Sequence, residues 1–199
     1  MKIKLLSVGA NMKLSKNVAV FNLPQGKTCP GATELCRKIC YAAKAERMYP
    51  QAAAMRARNL RETKEASFVV EMIEELDYLI RQRNLKYVRV HESGDFYNQT
   101  YLDKWIEIAR EEPEITFLAY TKSFNLNFDK YPDNMKIYAS TDSTSEKLRG
   151  TGPFAHIVQK GEQIPKGYVT CQPAHDKHYC GADCTTCFQG KSNVYFPQH

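Results

Sequence analysis

The chain has 199 residues and a formal net charge of +6, with 43% hydrophobic and 25% charged residues. This length fits a single domain over residues 1–199. The composition excludes a disordered chain, a collagen-like fibre and a low-complexity tail. The mild positive charge permits an acidic partner, such as nucleic acid or a phosphorylated small molecule, without requiring one.

The sequence indicates a protein that works inside the cell. No window approaches the ~18 uninterrupted apolar residues that a membrane span requires. The N-terminus is basic and briefly apolar, but Lys13 and Lys16 interrupt it and no small-residue cleavage site follows. We therefore predict a cytoplasmic protein without a membrane partner.

The first part of the chain predicts two short strands followed by a long helical region. Apolar runs at residues 3–8 and 18–21 are typical of strands. From Ala42 to Arg83 helix breakers are rare apart from Pro50, and apolar residues late in this region recur at helical spacing. They are Val69, Met72, Ile73, Leu76 and Ile80.

A strand, a helix and a second strand follow within ~35 residues, which is typical of a βαβ unit with parallel strands. Tyr87–Val90 is the first strand, Asn98 can cap the helix, and residues 115–119 form the next strand after Pro113. The apolar stripe of the helix is Leu102, Trp105, Ile106 and Ala109. Further β-like runs at 135–139, 155–158 and 168–170 predict an α/β fold, either an incomplete parallel (β/α) barrel or an open parallel sheet.

Seven cysteines fall into two groups with none between them. The first group is spaced C-x6-C-x3-C and the second C-x8-C-x3-C-x2-C. In a reducing cytosol, clustered cysteines indicate metal before disulfide, and an odd number cannot close into a complete disulfide framework. We therefore predict two cysteine-ligated metal sites.

The second group can complete the coordination of either a [4Fe–4S] cluster or a tetrahedral zinc ion. It consists of Cys171, Cys180, Cys184 and Cys187. Zinc sites usually present two C-x2-C pairs, whereas only one such pair is present here. The irregular spacing suits a cluster, because its four iron corners lie farther apart than the ligands of a single ion. His175 and His178 keep zinc as an alternative, and thiols without metal are a third interpretation.

The first group, Cys29, Cys36 and Cys40, supplies only three thiolates, which would leave one position of a [4Fe–4S] cluster open for a small molecule. Cys36 and Cys40 stand four apart, which predicts both sulfurs on one face of a helix. Two alternatives stay open: the cysteines are buried as small apolar residues, or His91 or Asp95 supplies a fourth ligand.

Polar residues follow three of the predicted strands directly, and parallel sheets place their active sites at the carboxyl ends of strands. His91, Glu92 and Asp95 follow the first of these strands, Lys122 follows the next, and Asp142 follows the third. We predict that they converge on one pocket, where they are candidates for proton transfer or ligand orientation.

Other functional motifs are weak. The predicted helix at residues 51–64 carries Arg56, Arg58, Arg61 and Lys64. Such a group is more typical of a solvated helix face than of an anion-binding site. The sequence contains no G-x-G-x-x-G, Walker-type loop or G-x-S-x-G elbow, which disfavours dinucleotide binding, nucleotide hydrolysis and serine hydrolase chemistry.

The chain resembles the gene product 88 family of phage and prophage proteins. The resemblance rests on residues 29–32, 36–42, 90–97, 120–123 and 180–187, and so extends over most of the chain. It implies a phage-type protein, placed in the host cytoplasm if phage-encoded, and implies no specific activity.

A more distant similarity is to radical S-adenosylmethionine enzymes, which have a partial barrel, an early three-cysteine [4Fe–4S] site and often a second cluster near the C-terminus. It implies a cluster at Cys29, Cys36 and Cys40, with S-adenosylmethionine as a candidate ligand of that cluster. The spacing here departs from that family's usual C-x3-C-x2-C, and no glycine-rich segment for the methionine amino group is evident.

The leading prediction is an iron–sulfur protein with two [4Fe–4S] clusters that acts as a redox or radical-type enzyme, an oxidoreductase of unknown substrate. It implies a small-molecule ligand at the open cluster and an electron donor. A zinc-stabilised nucleic-acid-binding protein and a ferredoxin-like electron carrier are the alternatives. The polar strand ends favour the enzyme over the carrier, and the lack of a basic stripe in the sequence disfavours the nucleic-acid-binding protein.

Overall fold

Eight strands and six helices make up the described part of the chain, which comprises residues 4–9, 12–145, 152–171 and 178–197 of a computed structural model. The strands are β1 (Ser7–Val8), β2 (Val18–Phe21), β3 (Tyr87–Val90), β4 (Thr116–Thr121), β5 (Met135–Asp142), β6 (Phe154–Val158), β7 (Tyr168–Thr170) and β8 (Asn193–Pro197). The helices are α1 (Glu34–Lys38), α2 (Tyr41–Met48), α3 (Pro50–Glu62), α4 (Phe68–Arg83), α5 (Gln99–Glu111) and α6 (Thr186–Gln189).

The described strands form one sheet in the order β1-β2-β3-β4-β5-β6-β8-β7. Every neighbouring pair is parallel except β1 with β2, which is antiparallel. The sheet is open, because β1 and β7 lie at its two edges. The predicted α/β fold is confirmed, and of its two predicted forms the structure has the open sheet and not the incomplete barrel, with β1 as the antiparallel exception. The carboxyl ends of β2 to β6 lie at the same end of the sheet.

The two faces of the sheet differ because side chains alternate along each strand. On the first face, here called the helix face, Phe21 of β2 packs against Trp105 of α5, with ring centroids 5.3 Å apart, and against Phe68 of α4. On the opposite face, here called the cysteine face, Val18 of β2 belongs to a smaller apolar cluster with Cys187 and Phe188.

The predicted βαβ unit is confirmed in β3, α5 and β4, whose strands are parallel neighbours. The side chain of Asn98 accepts a hydrogen bond from the Tyr101 amide at 2.9 Å and so caps α5. The predicted apolar stripe of this helix is buried against the helix face. Local capping and periodicity agree with the tertiary packing here.

The region predicted to be helical from 42 to 83 is divided into α2, α3 and α4. Pro50 is the first residue of α3, where its missing amide costs nothing, and it holds Tyr49 in a non-helical conformation (φ −128°, ψ 89°) that ends α2. Met72 and Leu76 are buried in α4, and Val69 and Ile80 pack partly against the same core.

Other elements depart from the sequence prediction. The first apolar run forms a strand only at Ser7–Val8, although Leu5 and Leu6 are buried, and Ile3 lies outside the described residues. The strand predicted at 135–139 continues to Asp142, while β8 and α6 were not predicted. None of the helices in the described ranges is long and apolar enough to cross a membrane.

Candidate functional site

A cavity of about 700 Å³ lies between the cysteine face of the sheet and the segments that carry the cysteines. Arg89 of β3, Tyr120 of β4 and Phe196 of β8 form part of its wall. All the cysteines of the chain are free thiols, and all of them line this cavity: Cys29, Cys36, Cys40, Cys171, Cys180, Cys184 and Cys187. The two groups seen in the sequence therefore face one common space.

The three-cysteine segment, residues 29–40, combines a turn with a short helix. The Cys29 amide donates to the Gly26 carbonyl at 3.3 Å, and the Ala32 amide donates to the Cys29 carbonyl at 3.2 Å. Cys36 lies within α1, whereas Cys40 is the residue that precedes α2. The prediction that Cys36 and Cys40 share the face of one helix is wrong, because α1 ends at Lys38.

The three thiols of this segment lie close enough to interact electrostatically. Burial raises the pKa of the Cys29 thiol to about 11, and negative charges on Asp95, Cys36 and Cys40 act in the same direction. Burial also raises the pKa of Cys36, while the Lys122 ammonium opposes that rise. A positive charge at these thiols, such as that of a metal centre, would favour their thiolate forms.

Asp142 and Lys122 form a buried ion pair beside this segment. The Lys122 Nζ donates to Asp142 Oδ2 at 2.8 Å and to the Ser140 carbonyl at 3.0 Å. The Thr33 hydroxyl donates to the same Asp142 oxygen at 2.7 Å. Burial alone would raise the pKa of Asp142, but the hydrogen bonds from Lys122, Thr144 and Thr33 outweigh it and hold the pKa below its usual range.

Gly31 brings the three-cysteine segment into direct backbone contact with the end of β4. A Cβ atom at this position would lie 1.9 Å from the carbonyl oxygen of Lys122. No rearrangement of a flexible side chain can relieve such a clash, because the obstructing atom belongs to the backbone. The segment therefore depends on glycine at residue 31.

Asp95 lies at the same end of the sheet and organises the chain after β4. Its Oδ1 accepts hydrogen bonds from the Phe96 amide at 2.7 Å and from the Thr121 hydroxyl at 2.6 Å, and its Oδ2 accepts one from the Lys122 amide at 2.8 Å. Burial raises the pKa of Asp95 to about 6, and these hydrogen bonds limit the rise. The structure thus links Asp95 to Lys122 through the backbone, and Lys122 to Asp142.

The other two strand-end residues are placed differently. The ring of His91 lies among aromatic rings of the helix face, 5.0 Å from Phe96 between centroids, and its Nε2 lies 2.7 Å from the Tyr101 hydroxyl. Burial, and then the charge of Arg89, lower the pKa of His91 to about 3. The Glu92 carbonyl accepts a hydrogen bond from the Tyr41 hydroxyl at the wall of the cavity.

His91 adopts a left-handed backbone conformation (φ 68°), which is uncommon for a residue with a Cβ. Its Nδ1 is buried and has no hydrogen-bond partner in the described structure. Strained and unsatisfied residues of this kind concentrate at functional sites, so the turn after β3 is a functional-site candidate on geometry as well as on position.

The four-cysteine group is assembled from the end of β7, a loop and α6. The Cys171 amide donates to the Tyr195 carbonyl of β8 at 3.0 Å. Cys180 pairs with the chain before β2, because its amide donates to the Lys13 carbonyl at 2.9 Å and its carbonyl accepts from Ser15 at 3.0 Å. Cys187 lies on α6 and is buried.

These four thiols also interact with one another. Burial raises the pKa of Cys180 to about 12, and charges on Cys187, Cys171 and Cys184 reinforce the rise, whereas Arg89 opposes it. His178 is exposed, and His175, the other histidine considered as a zinc ligand, lies outside the described residues.

Arg89 is a functional candidate that the sequence analysis missed. Its guanidinium lies 4.1 Å from the centre of the Tyr120 ring, and its Nε donates to the His91 carbonyl at 3.3 Å. It opposes the burial-induced rise in pKa of both Cys180 and Cys187. The signal in the sequence was the alternation in Tyr87–Val90. Val88 and Val90 are buried on the helix face, so Arg89 between them lies on the cysteine face.

In the described ranges, no three His, Cys, Asp or Glu side chains are gathered closely enough to hold a single metal ion. What the thiols of both groups share is the lining of the cavity. The predicted site residues that the structure links directly are Asp95, Lys122 and Asp142, which are joined by hydrogen bonds.

The fold and the site define an α/β protein with an open, mostly parallel sheet and a cysteine-lined cavity against one face. Residues 3–196 match the model of the family described as Gene product 88, and the chain belongs to that family. It is 27% identical to the Gene 88 protein of Mycobacterium phage L5, with 86% of this chain and 82% of that protein aligned. It is 26% identical to the Gene 88 protein of Mycobacterium phage D29 with the same coverage.

The predicted resemblance to this phage family is therefore confirmed. No solved structure matches the chain. The similarity to radical S-adenosylmethionine enzymes stays a prediction.

Proposed function

We propose that this protein is an iron–sulfur redox or radical-type enzyme that binds two [4Fe–4S] clusters in one cavity. Cys171, Cys180, Cys184 and Cys187 would hold a fully ligated cluster. Cys29, Cys36 and Cys40 would hold the second, with one iron left for a small molecule. The observation that carries the proposal is that both groups of free thiols line the same cavity of about 700 Å³.

The donor set fits this cofactor. Each group gathers its thiols from separate turns or helices, and charges within each group influence one another. A cubane presents four iron corners, so its cysteine sulfurs lie farther apart than the ligands of one ion. The irregular sequence spacing of the second group therefore supports a cluster more than it supports zinc.

Each group also has a basic side chain beside it. The Lys122 ammonium interacts with Cys36, and the Arg89 guanidinium interacts with Cys180 and Cys187. A cluster with thiolate ligands is anionic, and a nearby cation lowers the free-energy cost of holding that charge away from water. The electrostatics therefore support thiolate-ligated centres at both positions.

The cavity wall supports a ligand-binding role in addition to electron transfer. A [4Fe–4S] cluster supplies one-electron chemistry, and an iron without a cysteine ligand supplies an open coordination position. Asp142, Lys122 and Thr33 hold the three-cysteine segment in place, while Asp95 orders the end of β4. Glu92 and Asp95 are the candidates for contacts with a small-molecule substrate at the wall of the cavity, whereas the His91 ring lies on the helix face.

The decisive experiment is purification without oxygen, followed by a visible spectrum and measurement of iron, sulfide and zinc per chain. Two clusters predict a brown protein with about eight irons and eight sulfides. A colourless protein with one zinc would contradict the proposal and favour the zinc-stabilised alternative. Two clusters that bind no added ligand would favour the electron carrier.

A further inference from the structure

A second surface of the molecule combines positive charge with exposed rings. It consists of Lys38, Tyr41, Lys44, Arg47, Met48 and Tyr49, at the end of α1 and along α2, and is here called the α2 surface. All six residues are exposed, with exposed fractions of 64% for Tyr41 and 56% for both Met48 and Tyr49. Large apolar or aromatic side chains grouped in this way mark an interaction site more often than single ones do.

Helical geometry explains why these side chains share a face. Tyr41, Lys44 and Met48 are spaced i, i+3 and i+7, so they project from one side of α2. The acidic residue of the helix, Glu46, turns the other way, and its carboxylate pairs with Arg56 of α3 at 3.1 Å. The Tyr41 hydroxyl is held by the Glu92 carbonyl, and 64% of the residue remains exposed.

The charge of this surface is not neutralised. Among the described residues, Lys38, Lys44 and Arg47 form no ion pair with a carboxylate. On α4, by contrast, Arg81 lies 3.8 Å from Asp77. A polyanion would therefore meet three free cations on the α2 surface, with the Tyr41 ring on the same side of α2 as Lys44.

We propose that the α2 surface binds single-stranded nucleic acid. The cations would contact phosphates, and unpaired bases would stack on Tyr41 and Tyr49, which is how proteins bind single strands without reading sequence. A duplex hides the faces of its bases, so it could use only the charges. An anionic membrane is disfavoured, because Lys44 and Arg47 interrupt the apolar residues and leave no continuous apolar face to insert.

This inference goes beyond the proposed function and does not depend on a cluster. The test is fluorescence anisotropy of a labelled 20-nucleotide oligothymidylate titrated with the full chain. Three phosphate contacts predict that the dissociation constant rises about twentyfold between 50 and 200 mM salt. The double variant Lys44→Gln/Arg47→Gln should bind more weakly and show only about a threefold rise over the same range.

Stacking is tested separately from charge. Tyr49→Ala should weaken binding about tenfold, whereas Tyr49→Phe, which keeps the ring, should bind like the parent protein. Matched controls lie on α4, where Arg81→Gln/Arg83→Gln removes two exposed cations and Tyr78→Ala removes a tyrosine that is 58% exposed. These α4 variants should leave both affinity and salt dependence unchanged.

Several outcomes would overturn the proposal. The first is a 20-base-pair duplex that binds at least as tightly as the single strand, and the second is α4 variants that weaken binding as much as the α2 variants. The third is binding to vesicles containing phosphatidylserine with no binding to the oligonucleotide. Circular dichroism melting of every variant separates loss of binding from loss of folding.

Discussion

The Thr33 hydroxyl donates to Asp142 Oδ2 at 2.7 Å, and its oxygen accepts a hydrogen bond from the Cys36 amide at 3.0 Å. One side chain thus caps α1, which carries Cys36, and ties that helix to the end of β5. Because Asp142 is in turn paired with Lys122, two strand ends determine where the three-cysteine segment lies. This relationship gives the polar strand ends a positioning role.

Thr33→Val should impair the three-cysteine site selectively. It removes a helix cap and one hydrogen bond to Asp142, which together should cost about 1–2 kcal/mol of the free energy of unfolding. If the proposed clusters are present, we expect iron to fall from about eight toward about four per chain, because the four-cysteine cluster would be held elsewhere. Thr100→Val, at an exposed position of α5, is the matched control and should keep full iron content.

Gly31→Ala should also disrupt the three-cysteine site, for a steric reason. The added Cβ would lie 1.9 Å from the Lys122 carbonyl oxygen, so the segment must move away from the strand end. Gly167→Ala is the comparison, since a Cβ there meets nothing within 4 Å. The positive φ of 84° at residue 167 should lower the free energy of unfolding of that variant by about 1 kcal/mol. Equal iron content in the two variants would count against the docking of residues 29–40 on β4.

Cys184→Ser should lower the melting temperature and the metal content together. A closed site of four thiolates contributes its binding free energy to folding, and here it would anchor the loop around Cys180 and α6. Cys36→Ser should reduce metal content with a smaller loss of stability. Unchanged metal content in Cys184→Ser would show that Cys184 is not a ligand.

The open position can be tested by electron paramagnetic resonance of the reduced protein. S-adenosylmethionine and cyanide, added separately, should change the signal of the cluster held by Cys29, Cys36 and Cys40. The signal of the other proposed cluster should stay unchanged, because all its irons would have cysteine ligands. The two signals are assigned from the Cys36→Ser and Cys184→Ser variants. A first cluster that responds to neither compound would favour a fourth protein ligand and an electron carrier.

Glu112 predicts a dependence of stability on pH that does not involve the cavity. Burial, and then the carboxylates of Asp77, Glu114 and Glu111, raise the pKa of Glu112 from 4.5 to about 7. Between these values the folded protein keeps a proton that the unfolded chain has released, so the free energy of unfolding falls as pH rises and levels off above pH 7.

Glu112→Gln should therefore stabilise the protein by roughly 1 kcal/mol at pH 8 and have little effect at pH 4. Thermal melts of both proteins across this pH range measure the difference. Glu107→Gln, at an exposed position of α5, the helix that ends just before Glu112, is the control and should give no such pH-dependent gain. A pH profile of Glu112→Gln parallel to that of the parent would contradict the prediction.

Local sequence signals predicted much of this protein. Asn98 and the stripe that includes Trp105 predicted α5, and the flanking apolar runs predicted β3 and β4, because caps and periodicity act over a few residues. The grouping of the cysteines was equally visible. The prediction failed at Cys36 and Cys40, where a spacing of four suggested one helix, because α1 ends at Lys38 and α2 begins only after Cys40.

The relation between the two cysteine groups was decided only by the tertiary structure. Strand β8, which the sequence did not predict, pairs with β6 at Ala155 and Val194 and lies between β6 and β7. It thereby fixes where the C-terminal segment joins the sheet. The pairing of Cys180 with Lys13 and Ser15 then seats that segment on the cysteine face. Contacts between residues more than a hundred positions apart depend on strand order and register, and a single sequence encodes these only through the packing of the whole chain.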